Sequence, residues 1–302
     1  MTDPSPTPKQ TLSFLQRRFQ EAGIRPRTRL GQNFLIDMNL QRVLLDCAAL
    51  GPDDVVLEIG TGTGGLTALM ALRAAAVVTV EIDRNLFQLA HEELFRLPNV
   101  TMLSTDALRR KSQIEPEVLR AVQTQLAAAP GRRFKLVANL PYVVATPILS
   151  NLLVLERPPE SMTCTIQKEL AERIVARPGG KDYGALAVWV QCQCRAEIVR
   201  LLPPSVFWPR PKVSSAFIQI TLDPQRRERI ADRAFFHRFM RAIFSQRRKL
   251  LRGGLLRAAE GLTRPDVDRL LTGLGLAATV RAEQLDPQQI LALADAVRAA
   301  AV

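Results

Sequence analysis

Three groups of residues in this sequence combine type and spacing in ways that suit chemistry. The first is Gly60-Thr61-Gly62-Thr63-Gly64-Gly65, set directly after the β-rich run at 55–59 and before a helical stretch. Glycines let such a turn close tightly and let backbone approach a ligand with no Cβ in the way. The second is a pair of acids, Glu81 and Asp106, each closing a later β-rich run, with Glu81 lying 21 residues after Gly60. In a doubly wound sheet the first of these faces the ribose hydroxyls of a nucleotide-like ligand. The second is placed to reach an adenine edge. This spacing alone leaves NAD and S-adenosylmethionine equally open as the cofactor.

The third group is Asn139-Leu140-Pro141-Tyr142, at the end of a fourth β-rich run. Ligands of parallel sheets bind beyond the carboxyl ends of the strands. There the Asn139 side-chain oxygen and the Leu140 carbonyl both offer acceptors. Pro141 lacks an N–H and stiffens the turn. Tyr142 offers a flat face on which a base can stack. Two acceptors converging on one NH₂ would fix an exocyclic amine and favour the partly positive nitrogen that develops as it attacks a methyl sulfonium. That is transition-state stabilisation without a general base.

The elements that must position these groups follow from periodicity. Short β-rich runs at 55–59, 76–82, 100–105, 134–140 and 161–167 alternate with helical stretches, including 40–50 and a polar stretch reaching about 127. Such alternation predicts a mostly parallel sheet covered on both faces. The runs at 185–202 and 215–222 flank a Pro-rich loop and predict a closing antiparallel pair at the sheet edge, with Cys192 and Cys194 on one strand face. After Asp223-Pro224 the pattern is helical, including 264–275 and 286–300. The expected domains are a basic, mobile arm at 1–27 with one short helix around LSFLQRRF, a catalytic domain at 28–223 and a helical domain at 224–302.

Charge is concentrated. Of a net +12, residues 1–30 carry +4 and residues 226–252 carry +8, so the rest is neutral. Two basic segments on a neutral body read as a polyanion binder. Residues 235–256 are expected to be helical, and on that helix Arg238, Arg241, Ser245, Arg248 and Arg252 align on one face as an arginine stripe. Phe236, Phe239, Ile243 and Leu250 then pack inward. Four cysteines without a C-x-x-C pair read as small buried residues in a reducing compartment, and two isolated histidines give no metal site. No apolar run is long enough to span a bilayer and no secretory leader is evident, so a soluble, cytoplasmic protein is expected.

GTGTGG, Glu81-Ile82-Asp83, Asp106-Ala107-Leu108 and Asn139-Leu140-Pro141-Tyr142 stand in the order of an S-adenosylmethionine-dependent adenine N6-methyltransferase. LGQNFL (30–35), QKELAERI (167–174), RPGGKDYG (177–184), PPSVFWPRPKVSSAF (203–217) and FSQRRKLL (244–251) are more specific. Together they resemble the KsgA-type family of small-subunit ribosomal RNA adenine dimethyltransferases, over about residues 28–252.

The resemblance implies a Rossmann-like class I methyltransferase sheet, mostly parallel with an antiparallel edge strand, followed by a small all-helical C-terminal domain that binds RNA. It implies that Asn33 and Leu35 contact S-adenosylmethionine from the entry segment. Gly60, with Gly62, lies beside the methionine part, Glu81 holds the ribose and Asp106 the adenine. Asn139 with Leu140 grips the target amine, Tyr142 stacks the target adenine, and Phe207 packs on its other face. Arg238, Arg241, Arg248 and Arg252 become the RNA contacts, and immature small subunits the partner; nothing in the sequence suggests an obligate dimer, so a monomer is expected. Thr61, Val143 and Ser214 stand where the family usually has Pro, Asn and Asp. The rival readings are a large-subunit enzyme of the macrolide-resistance type, a non-catalytic RNA-binding assembly or transcription factor on the same fold, and more weakly a DNA adenine methyltransferase.

Overall fold

The structure is a computed structural model that describes residues 11–245, 249–258 and 261–300. A seven-stranded sheet forms from β1 (Asp54–Ile59), β2 (Ala76–Val80), β3 (Val100–Leu103), β4 (Arg133–Asn139), β5 (Ser161–Gln167), β6 (Cys194–Leu202) and β7 (Ser215–Leu222). Its order is β3-β2-β1-β4-β5-β7-β6. The ladders β1–β2, β2–β3, β1–β4 and β4–β5 are parallel. The chain therefore winds outward from β1 in both directions. That makes a crevice at the carboxyl ends of β1 and β4, where the order reverses.

Strands β1 and β2, apolar except for Asp54, Glu58 and Thr79, are buried along their whole length, as expected for a sheet covered on both faces. The helices are α1 (Leu12–Glu21), α2 (Met38–Ala48), α3 (Gly65–Ala71), α4 (Arg84–Leu94), α5 (Pro116–Ala127), α6 (Tyr142–Leu152), α7 (Lys168–Val175), α8 (Ala185–Gln191), α9 (Pro224–Glu228), α10 (Arg233–Phe244), α11 (Leu251–Ala258), α12 (Arg264–Gly273) and α13 (Pro287–Ala300). None is long and apolar enough to cross a membrane. At the amino ends of β1 and β4, buried Asp54 pairs with Lys135 at 2.8 Å and Arg133 at 2.9 Å. Lys135 also donates to the Ala49 carbonyl at the end of α2. The two central strands are thus tied at the end opposite the crevice.

Two compact units emerge. One runs to Lys168 and takes in Ile198–Gln219; the other comprises Glu169–Glu197 and Ile220–Val302. The expected division at 223/224 therefore differs from the observed one. Residues of α8 fold with the tail because their side chains belong to its core: Trp189 lies 6.2 Å from Phe236, and the Tyr183 hydroxyl donates to the Leu285 carbonyl.

Four local expectations are corrected. Residues 185–191 are a helix, not the start of a strand, so Cys192 caps α8 while Cys194 opens β6. Only seven residues long and with Ala187–Val190 buried, α8 lacks the polar positions that would reveal its period. The polar stretch before 127 begins with a short hairpin, Leu108–Arg110 against Gln113–Ile114. The described part of the arm is not loose: Thr11 caps α1, and Phe19 is buried against Phe34 and Trp208 at ring distances of 5.3 and 5.1 Å. Finally, the basic tail stretch is two helices, α10 and α11, with Leu250 between them exposed and bridged to Arg281.

Candidate active site

The carboxyl ends of β3, β2, β1 and β4 open onto a cavity of about 240 Å³, lined from the first unit alone. Strand order sets the sequence of functional groups along it: Asp106 after β3, Glu81 after β2, the glycine turn after β1, and Asn139 ending β4. With strands roughly 4.8 Å apart, these groups span about 14 Å. A slot of that shape holds an elongated ligand.

The glycine turn is built around positive φ. Gly60 has φ +87° and Gly62 φ +60°. A Cβ on Gly60 would lie 3.2 Å from the Pro141 ring, and one on Gly62 would lie 3.1 Å from the Phe34 ring. The turn is thus in contact with both the Asn139–Tyr142 segment and the entry segment, and only glycine fits at those points. The Gly62 N–H donates to Glu81 Oε2, and the Asp83 N–H donates to Oε1, both at 2.9 Å.

Glu81 is 4% exposed. Burial pushes its carboxyl up to about 7, against the pull of those two backbone donors and with the help of nearby Asp83. Beneath it, Glu58 accepts from Thr67 Oγ1 at 2.5 Å and Thr79 Oγ1 at 2.6 Å, and burial lifts it to about 8. Burial thus disfavours the charged form of both carboxyls, of Glu58 the more, and brings the titration of Glu81 toward neutral pH. Hydroxyl donors favour the ionised form of Glu81, so ligand binding should fall as pH drops through 7. We expect the affinity for S-adenosylhomocysteine to fall about tenfold from pH 8 to pH 6, as calorimetry can measure. Glu81→Gln should flatten that profile. An unchanged slope in the variant would remove Glu81 from the ligand.

Asn139 donates through Nδ2 to the Asn33 carbonyl at 2.7 Å. Its Oδ1 is thereby turned away from Asn33, and Asn139 lines the cavity. Leu35, Gly60, Gly62 and Asp106 line it too. Asp106 is exposed, with Oδ1 taken by the Leu108 N–H. Leu140 is buried, its N–H donated to the Thr165 carbonyl. Pro141 and Val143 line the cavity mouth, and Val143 is 64% exposed. Tyr142 is half-buried at the start of α6, and its hydroxyl shares a 2.6 Å hydrogen bond with Ser215 Oγ.

Phe207 is not at the cavity. It pairs with Leu35 across the two-residue ladder Phe34–Leu35/Phe207–Trp208 and is 3% exposed in a cluster with Leu40, Leu44, Leu202 and Phe217. The expectation that it packs on a target base is corrected: its ring is core, and it supports the entry segment. Sequence reasoning also missed Glu58, Gln41 and Ser215, each on an apolar element whose pattern advertises only a core face. Among the described residues, no cluster of His, Cys, Asp and Glu is placed to hold a metal ion.

In the second unit, Arg238 and Arg241 are exposed on α10 while Phe236, Phe239 and Ile243 are buried. Arg248 lies outside the described residues. Arg252 does not continue the stripe, because it starts a separate helix and pairs with Asp268 at 2.5 Å.

The strand order, the glycine turn after β1 and the two carboxylates along the crevice define a Rossmann-like, S-adenosylmethionine-dependent methyltransferase. Among solved structures, a dimethyladenosine transferase from Plasmodium falciparum shares this fold with a TM-score of 0.68 and 22% identity, over 85% of this chain and 94% of that one. The 23S rRNA methyltransferase ErmE matches with a TM-score of 0.59 and 27% identity, over 88% of this chain and all of that one. The chain belongs to the ribosomal RNA adenine dimethylase family, whose model matches residues 23–297. It is 38% identical to the ribosomal RNA small subunit methyltransferase A of Moorella thermoacetica, over 95% of this chain and 96% of that one. The corresponding protein of Geobacillus kaustophilus is 36% identical, over 96% of each.

Proposed function

We propose that this chain adds two methyl groups to N6 of adenines in small-subunit rRNA, as a cytoplasmic monomer acting on immature subunits. The subunit choice is supported by the near-full-length similarity to small-subunit enzymes, which exceeds that to ErmE. The observation that carries the chemistry is Asn139: one N–H of its amide is given to the Asn33 carbonyl, which fixes Oδ1 as the acceptor end of a side chain lining the cavity.

S-adenosylmethionine, when bound, supplies an electrophilic methyl group. The residues present fit it: a carboxylate for ribose hydroxyls, a second at the adenine end, and a turn with no Cβ to exclude it. The chain's own part is positioning. Asn139 Oδ1, with the Leu140 carbonyl, accepts from the target amine and favours positive charge on that nitrogen. Tyr142 stacks the extruded base. Holding nitrogen and methyl in line supplies much of the remaining rate. No side chain is required as a strong base. A second transfer needs room for a mono-methylated amine, which the exposed mouth beside Val143 leaves.

The test is methyl transfer from labelled S-adenosylmethionine to immature small subunits, followed by mapping of N6,N6-dimethyladenine. Label in small-subunit rRNA at adenine N6 is expected. Label in large-subunit rRNA instead would replace this reading with the macrolide-resistance type, and no label at all would favour a binding factor.

The RNA grip rests on phosphate contacts. Arg238→Ala with Arg241→Ala should weaken rRNA binding and reduce the slope of log K against log salt by roughly 1.4 to 1.8, two contacts at about 0.7–0.9 each. Binding titrations at several salt concentrations measure it. An unchanged slope would assign these arginines to a solvated face.

A further inference from the structure

Gln41 is an amide on an otherwise apolar helix face. It is 5% exposed, lies on α2 between core residues Leu40 and Leu44, and lines the cavity. Its Nε2 donates to the Leu35 carbonyl at 2.7 Å. That contact fixes which end of the amide is nitrogen, since a carbonyl can only accept. Its Oε1 then has no hydrogen-bond partner. A buried acceptor left unpaired is destabilising, and such groups usually meet a partner in the working state of a protein.

We propose that Gln41 is a further cofactor-binding residue, whose Oε1 accepts a hydrogen bond from the α-ammonium group of the methionine part of S-adenosylmethionine. This rests on the methyltransferase reading of the site.

Two arguments select that group. The first is position. α2 packs on β5, on the far side of β1 from β3. Gln41 is bonded to Leu35, two residues beyond Asn33, which holds Asn139 at the end of β4. Gln41 therefore serves the end of the slot opposite Asp106 and its adenine. The second is chemistry. An amide oxygen can only accept, and in the methionine part the ammonium is the one donor; the carboxylate accepts and the sulfonium does neither. A neutral acceptor also leaves the ammonium's charge to its own carboxylate, where a buried acid would have to be desolvated as Glu81 and Glu58 are.

Calorimetry on the full chain compares S-adenosylhomocysteine, which has the amino-acid group, with methylthioadenosine, which has adenosine and the thioether but no ammonium or carboxylate. In Gln41→Leu, binding of S-adenosylhomocysteine is expected to weaken about tenfold or more. Binding of methylthioadenosine should stay within about twofold of the unsubstituted protein, which also shows that the variant is folded. Gln41→Met should behave like Gln41→Leu. Equal weakening of both ligands would overturn the assignment and make Gln41 a support for the entry segment. No change in either ligand, with a higher KM for RNA, would also overturn it and give the oxygen to the target amine. If the unsubstituted protein bound neither ligand, the methyltransferase reading itself would fail, an outcome distinct from the other two.

Discussion

Asn139→Ala should lower kcat for methyl transfer by at least about 10²–10³-fold, the usual scale for losing one preorganised hydrogen-bonding group at a transition state. The side chain has two separable jobs. Nδ2 holds the Asn33 carbonyl at 2.7 Å, which fixes the entry segment against the end of β4. Oδ1 is the acceptor for the target amine. Alanine removes both. Loss of the first alone costs a single part-buried hydrogen bond, roughly 0.5–1.5 kcal/mol. Binding of S-adenosylhomocysteine should therefore weaken by no more than about tenfold while turnover collapses. Asn139→Asp separates the jobs. It keeps acceptors for the amine but sets a carboxylate against the Asn33 carbonyl, so its larger defect should appear in cofactor binding. Single-turnover kinetics with calorimetry checks both variants. An alanine variant that retains turnover would remove Asn139 from the reacting amine.

What the sequence reveals about this site and what it hides have a common cause. Gly60, Gly62, Glu81, Asp106 and Asn139 are readable because each breaks the local pattern at a strand end, where a polar or glycine residue has no reason to stand unless it meets a ligand. Five strands of the sheet are readable as short β-rich runs between helical stretches, most plainly β1, β2 and β4, whose mainly apolar residues are buried. An apolar run also misleads at 185–191, a short helix with Ala187–Val190 buried and too few polar positions to show its period.

Gln41 and Ser215 are hidden for a different reason. Their partners are 6 and 73 residues away through backbone or side-chain contacts that no local spacing encodes. Phe207 is placed on the target base by its resemblance to a late family motif, and nothing in the local sequence argues otherwise. Only the pairing of its backbone with Leu35 shows that the ring is committed to the core. The arginine stripe was overextended for want of a break signal: nothing between Phe244 and Leu251 announces that α10 stops and α11 starts.

Tyr142→Ala should reduce kcat/KM for the RNA substrate by about five- to 150-fold, because base–aromatic stacking is worth roughly 1–3 kcal/mol per base. The ring stands at the first position of α6, directly after the stiff Pro141, half-buried, with its hydroxyl tied to buried Ser215 Oγ at 2.6 Å. That tether is what makes the face usable. A ring pinned at its far end loses less side-chain freedom when a base stacks on it, so more of the stacking energy reaches the complex. Burial raises the phenol above its ordinary value, with the Ser215 hydrogen bond opposing, so the hydroxyl stays protonated through neutral pH and acts as a tether, not a base.

The substitutions therefore rank. Tyr142→Phe keeps the face and loses the tether, so its kcat/KM should fall by less than about tenfold, and Ser215→Ala should match it. The double variant should be no worse than either single one, since both remove the same contact. S-adenosylhomocysteine binding should be unchanged in all of them, because neither side chain lines the cofactor cavity. Steady-state kinetics on immature small subunits tests the series. A phenylalanine variant as impaired as the alanine variant would move the role from the ring's face to its hydroxyl, and with it the basis of base recognition.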